Sequence, residues 1–184
     1  MKRTRSLGAA LLLTALAVAF AAPPAEAGSN ADLQRDAKRA LENLVSGNSA
    51  AQLLNKKAVA VLVFPNMMKA GFLFGGQVGD GVLLKKGRAA GYYNSVAASY
   101  GLQAGAQTFG YALFFMNNGA LAYLDSSSGW EVGVGPSIVV VDSGVGKSIT
   151  STTTTQDVYA FIFNQKGLMG GLGIQGSKIT KLSN

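Results

Sequence analysis

Residues Val61–Leu84 read VLVFPNMMKAGFLFGGQVGDGVLL. Val59, Val61 and Val63 alternate with Ala58, Ala60 and Leu62, and a β-branched run with no polar residue on either side predicts a strand from Ala58 to Phe64 buried on both faces. Pro65 has no N–H to give a ladder, so it is expected to stop that strand. Further on, Gly79-Asp80-Gly81 tolerates positive φ, and Phe72 to Val78 and Val82 to Lys86 are expected to form a hairpin around it.

Upstream the period is helical. Leu33, Ala37, Ala40, Leu41, Leu44 and Val45 recur at steps of three and four, which predicts an amphipathic helix from Ser29 to Ser46, capped by Ser29 or Asn30 and ended by Gly47. A shorter helix from Ser49 to about Asn55 turns Leu53 and Leu54 inward, with Lys56 and Lys57 complementing the dipole at its C-terminal end. Downstream, strands are expected at Gly91–Val96, Tyr100–Gln107, Tyr111–Met116, Glu131–Asp142, Asp157–Gln165 and Gly171–Ile179. Asn118 to Asp125 is expected to form a short helix before a turn at Ser126–Gly129. Ser148–Thr155 has strand propensity without apolar alternation, as in an exposed strand or connection. Two helices followed by many short antiparallel strands make an α+β domain, and glycines inside strands mark bends and close backbone approaches. The expected architecture is N-terminal helices on a glycine-rich, strongly curved antiparallel β part, either two sheets or barrel-like.

The first residues have the order of an export signal: Lys2, Arg3 and Arg5, an apolar run from Leu7 to Ala22, then Ala25-Glu26-Ala27. Residues 1–27 are therefore expected to be removed, leaving Gly28–Asn184 as one domain in the periplasm or cell envelope, or secreted. The chain has no cysteine, so neither a disulfide nor a thiol-linked lipid can hold the product. Its net charge of +7 falls to an excess of five when Lys2, Arg3, Arg5 and Glu26 leave. A basic exported domain is expected to meet an anionic partner, and the membrane is nearer than nucleic acid or nucleotide.

The Val61–Leu84 segment also resembles the opening of a SYLF domain. The resemblance continues through Gly101–Gln107, Phe115-Met116-Asn117, Gly133–Ser137, Asp157–Phe161 and Gly171–Ile179, covering roughly Leu33 to Thr180. SYLF domains are lipid-binding modules of bacterial exported proteins and of eukaryotic endocytic adaptors. The resemblance implies a ligand among anionic phospholipids, with phosphoinositide-like or phosphatidic-acid-like headgroups. In eukaryotic members an N-terminal amphipathic helix helps hold the membrane. Here that helix mixes Arg35, Lys38 and Arg39 with Asp32, Asp36 and Glu42, and its apolar stripe is half alanine. The actin contacts of eukaryotic members do not transfer to an exported protein.

Catalysis finds little material. With no histidine and no cysteine, the commonest general base, the thiol nucleophile and the usual zinc ligands are missing. No catalytic residue, metal site or cofactor is expected. Asp32, Asp36 and Glu42 have basic neighbours at helical spacing and read as local ion pairs, and Asp80 reads as a turn residue. Val141–Ser148 ends in Gly-Lys-Ser like a phosphate-binding loop, but Val141 stands where its first glycine belongs and a threonine-rich run follows in place of a helix. Gly171–Gly176 has dinucleotide-type glycine spacing with no room for a βαβ unit behind it.

The basic residues carry the more plausible chemistry. Lys56, Lys57 and Lys69 flank the first strand, and Lys85, Lys86 and Arg88 surround the following turn. Any one of them alone reads as a solvated loop charge. The two ends of a seven-residue strand lie ~23 Å apart, so the expected lipid-contacting group is Lys69, Lys85, Lys86 and Arg88. Met67 and Met68 beside Lys69 either dip among headgroups or pack under the helices, while Trp130, Tyr92 and Tyr93 read as core or rim. Two other classes remain: a small outer-membrane β-barrel or cell-envelope structural protein, and an enzyme working with carboxylates alone. The short uneven strands and preceding helices weigh against the barrel.

Overall fold

The computed structural model describes residues 30–126, 129–141, 146, 149–150, 154–167 and 176–183. The expected export segment lies outside them, as do most of Val141–Ser148 and Gly171–Gly176 and half of Ser148–Thr155.

The two expected helices form. α1 spans Asn30–Gly47 and α2 spans Ser49–Lys57. Between them Asn48 is extended and its side chain accepts the Ala51 N–H, a cap that starts α2 directly after α1 ends. Ala37 and Ala40 of α1 and Ala50, Ala51 and Leu54 of α2 are buried against the sheet. Leu53 is only half-buried.

Two long strands then dominate: β1, Ala60–Lys85, and β2, Arg88–Phe115. They form one antiparallel ribbon from Ala60 opposite Phe115 to Lys85 opposite Arg88. After β2 come α3 (Asn118–Ala122), a 3₁₀ turn at Tyr123–Asp125, β3 (Trp130–Glu131), β4 (Ile138–Val140), β5 (Val158–Gly167) and β6 (Lys178–Lys181). The free edge of β2 is shared, with β5 pairing its C-terminal part and β6 pairing Tyr93–Val96. β4 lies parallel to β5, and β3 pairs β6. The described strands thus make one six-stranded sheet.

A straight 26-residue strand would be ~86 Å long. β1 instead curls back on itself: a Cβ at Gly79 would lie 2.9 Å from the Asn66 carbonyl oxygen, and one at Gly81 would lie 2.6 Å from the Phe64 ring. Register shifts at Phe64/Met67, Phe72/Phe74 and Leu83/Leu84 supply the bends. The result is a strongly curled, mostly antiparallel half-barrel with the N-terminal helices packed on it, an α+β fold. Of the two expected forms, the barrel-like one is correct.

The curl divides the core in two. Inside it Leu62, Phe64, Met67, Tyr111, Leu113 and Phe115 pack with Leu83, Tyr93, Trp130, Ile179 and Leu121 of α3. Phe64 stacks on Tyr111 with ring centroids 4.5 Å apart, and Phe115 meets Trp130 at 5.8 Å. On the outer face Val61, Val63, Val82, Leu84, Ala112, Phe114 and Phe161 pack under the helices. Each large buried side chain contributes about 1.5–3 kcal/mol by burial, so β1 is double-faced and apolar where the helices cover it.

Several expectations are corrected. Pro65 does not end a strand; it sits buried within the bulge between Phe64 and Met67, where no ladder N–H is required. Gly79-Asp80-Gly81 is not a turn: these residues pair with Ser95, Asn94 and Tyr93, and Asp80 accepts a 2.8 Å hydrogen bond from Asn94 across the ladder. Their glycines are required by the close approach of Asn66 and Phe64. The three strands expected between Gly91 and Met116 are the single strand β2. The expected strand Glu131–Asp142 is interrupted because Gly133 and Gly135 adopt φ of 105° and 91°.

Candidate functional site

The chain reverses at Lys86-Gly87. Lys86 has φ 50° and Gly87 φ 74°, the left-handed conformations that a two-residue hairpin turn needs, with Lys85 and Arg88 as the closing pair. Nothing crowds Gly87, so it is a glycine for its dihedral angle alone. The sharp turn places Lys85, Lys86 and Arg88 side by side, all exposed.

α1 runs beside this tip. Lys38, half-buried on α1, and Arg88 line opposite sides of a shallow depression whose other walls are Gln34, Ala89–Gly91 and Tyr92. A neighbouring depression is lined by Lys38, Glu42, Leu84 and Gly87 among others, so one carboxylate borders the group. No ion pair holds Lys38, Lys85, Lys86 or Arg88 among the described residues. Other cations are engaged: Arg35 bridges Asp32 at 2.8 Å, Lys181 bridges Asp125 at 2.8 Å, and Lys57 donates to Thr154.

Lys69 does not join this group at the surface. It is 4% exposed, on the face of β1 that carries Met67, and opposite Gln107. Lys69, Gln77, Ser95, Gln107 and Ser177 are the buried polar side chains of the described residues. Gln77 donates to Ser177 Oγ at 3.0 Å, Tyr111 donates to Ser95 Oγ at 2.7 Å, and Gln107 Oε1 is buried with no hydrogen-bond partner. Met67 is fully buried inside the curl and not under the helices, and Met68 is 57% exposed. Trp130 and Tyr93 are core residues, Trp130 donating to the Val134 carbonyl at 3.0 Å.

Among the described residues the expected ion pairing on α1 is seen for Arg35, with Asp32 and Asp36, and the apolar stripe of the helix is spent on the sheet: Ala37 and Ala40 are buried, and Leu33, Leu41 and Leu44 pack against the same cluster. Lys38 and Gln34 enter the site only through helix-to-ribbon packing, for which their local sequence carries no signal.

The best-connected carboxylate is structural. Asp157 accepts from Asn117 Nδ2 and from the amide and hydroxyl of Ser137, at 2.8–2.9 Å, and these bonds hold its pKa below the usual carboxylate value. It fastens the start of β5 to β4 and to the Asn117 cap of α3. Among the described residues no group of three or more acidic side chains converges as a metal site would need, and no helix is long and apolar enough to cross a membrane.

No protein-family model matches the chain, and no curated protein is detectably similar to it in sequence.

Proposed function

We propose that the protein binds anionic phospholipid at a membrane surface, without catalysis, through the hairpin tip of Lys85, Lys86 and Arg88 together with Lys38 of α1. One observation carries this reading: these cations are gathered at one end of the ribbon with no ion pair among the described residues. Four cations against the single bordering carboxylate Glu42 leave an excess of like charge, and an anionic surface relieves that repulsion while attracting each cation by ~1 kcal/mol. The arginine adds a planar donor fork suited to a phosphate.

The resemblance to SYLF domains supports the same ligand class, phosphoinositide-like or phosphatidic-acid-like. The basic, apolar and small-residue order of residues 1–27 supports export to the periplasm, cell envelope or medium, where a headgroup is a nearer anion than nucleic acid or nucleotide. Lys69 is left out of the surface group because burial removes it from solvent. Helix insertion by α1 is disfavoured because its apolar stripe already faces the sheet.

Co-sedimentation with phosphatidylcholine vesicles, with and without phosphatidic acid, tests the proposal. Binding is expected to the anionic vesicles only, falling steeply with salt as the Debye length shortens to ~8 Å. Equal binding to both vesicle types at low salt would refute a charge-led mechanism.

A further inference from the structure

We infer that the site beside the hairpin tip reads the hydroxyls of its lipid as well as the phosphate, and takes a phosphodiester headgroup carrying a free polyol, of the glycerol type, over a bare phosphate. This rests on the lipid-binding reading above.

The depression between Lys38 and Arg88 has a continuation. A second depression shares its Ala90–Gly91–Tyr92 wall and runs on to Lys181, Leu182 and Ser183. The end of β6 is fastened there, the Leu182 amide donating to the Tyr92 carbonyl at 2.9 Å. The shared wall carries little side chain at Ala90 and Gly91, so the two depressions adjoin as one trough.

The two halves differ in charge. Lys38 and Arg88 line the first with no ion pair among the described residues. In the second, Lys181 is held at 2.8 Å by Asp125, so that half adds little net charge. A second phosphate finds no matching cation there, whereas an uncharged alcohol needs none.

Neutral polar groups line the rest of the trough. Gln34 stands one turn before Lys38 on the same side of α1, Tyr92 borders both halves, and Ser183 lines the second. None of the three makes a side-chain hydrogen bond among the described residues. Lysine and arginine only donate, so they hold a phosphate but cannot accept from a hydroxyl. A glutamine carbonyl, a phenol and a serine hydroxyl can. Cations at one end and neutral acceptors along the remainder match an anion joined to a polyol, and a bare phosphate leaves the acceptors unused.

Phosphatidylglycerol and phosphatidylethanol carry the same single charge on the same phosphodiester and differ in their free hydroxyls. With equal fractions of either in phosphatidylcholine vesicles, phosphatidylglycerol is expected to be bound about fivefold more tightly or better. That ratio should hold as salt rises, while both affinities fall. Gln34→Ala and Tyr92→Phe should each bring the ratio toward one with unchanged circular dichroism; an equal loss on both vesicle types would overturn their role as hydroxyl readers. Equal binding of the unmodified protein to the two vesicles would overturn the inference and leave the hairpin-tip reading intact. If neither vesicle binds, both are wrong. Calorimetric binding of soluble glycerol phosphate, without preference between the vesicles, would assign the trough to a free polyol phosphate instead.

Discussion

Tyr111 donates a 2.7 Å hydrogen bond to Ser95 Oγ although both residues belong to β2, 16 positions apart. Two residues that far apart on a straight strand lie ~50 Å from each other. The bond is a direct measure of how tightly the ribbon curls, and both partners are fully buried. Tyr111→Phe leaves the Ser95 hydroxyl in the core without this donor, and about 1–2 kcal/mol of stability should be lost. Urea unfolding of Tyr111→Phe, Ser95→Ala and the double variant checks this; a strictly additive double variant would mean that the two side chains act independently.

Stability should fall at alkaline pH. Burial pushes the Tyr111 phenol well above its usual value of 10, only partly opposed by the Ser95 bond, and burial raises Tyr93 as well against the pull of Lys181. A folded-state pKa above the unfolded one means the contribution is complete below pH ~10 and is lost as pH rises toward the folded value. The slope for one such phenol is at most about 1.4 kcal/mol per pH unit. Tyr111→Phe should flatten the alkaline limb of a urea-midpoint profile, and an unchanged limb would count against this assignment.

At the acid end the sign reverses. The bonds from Ser137 and Asn117 depress the Asp157 pKa, so its contribution is present above the ordinary value near 3.8 and disappears as pH falls through the folded value. Asp157→Asn is expected to reduce the acid sensitivity of thermal unfolding. An acid limb identical to that of the unmodified protein would exclude Asp157 as a source.

Gly81→Ala and Gly79→Ala should each cost about 1–3 kcal/mol, because the new methyl meets the Phe64 ring or the Asn66 carbonyl. Gly47→Ala, with nothing within 4 Å, is the control and should be neutral or mildly stabilising. Equal effects at all three positions would mean the ribbon opens without penalty.

Charge reversal at Lys85 and Lys86 together is expected to weaken binding to phosphatidic acid vesicles roughly tenfold or more at low salt. The same change at Lys56 and Lys57, on the far end of α2, should do less, since Lys57 already donates to Thr154. Quantitative co-sedimentation of the two double variants decides it, and similar losses in both would displace the site from the hairpin tip.

What the sequence revealed follows the range of its signals. The stripe Leu33–Ala37–Ala40–Leu41–Leu44 and the alternation around Val61 and Val63 are local; the helix formed where it was expected, and the strand starts near its expected place but runs on through Pro65 to Lys85. Lys69 was misplaced because the bulge at Pro65 adds a residue and swaps the faces: Phe64 points inward, and after the bulge so do Met67 and Lys69. The glycines at 79 and 81 have the composition of a turn, yet their cause is the ring of Phe64 and the backbone of Asn66, which no local window contains. The true turn has a lysine at its first left-handed position, a residue with no special preference for it. For the site, Lys85, Lys86 and Arg88 were legible as a cluster, whereas the approach of Lys38 depends on tertiary packing.

The turn at Lys86-Gly87 also sets an order of assembly. Closing Lys85 against Arg88 costs almost no chain entropy, while joining Ala60 to Phe115 directly would close a very long loop. Each rung that forms shortens the loop for the next, so the ribbon zips from Gly87 outward and its far end, where β5 and the helices dock, comes last. A nascent chain emerging N-terminus first therefore holds Ala60–Lys85 without its partner until β2 has been made. The side chains exposed during that interval, Val61, Leu62, Val63 and Phe64, form a stretch whose β propensity and lack of charge favour aggregation.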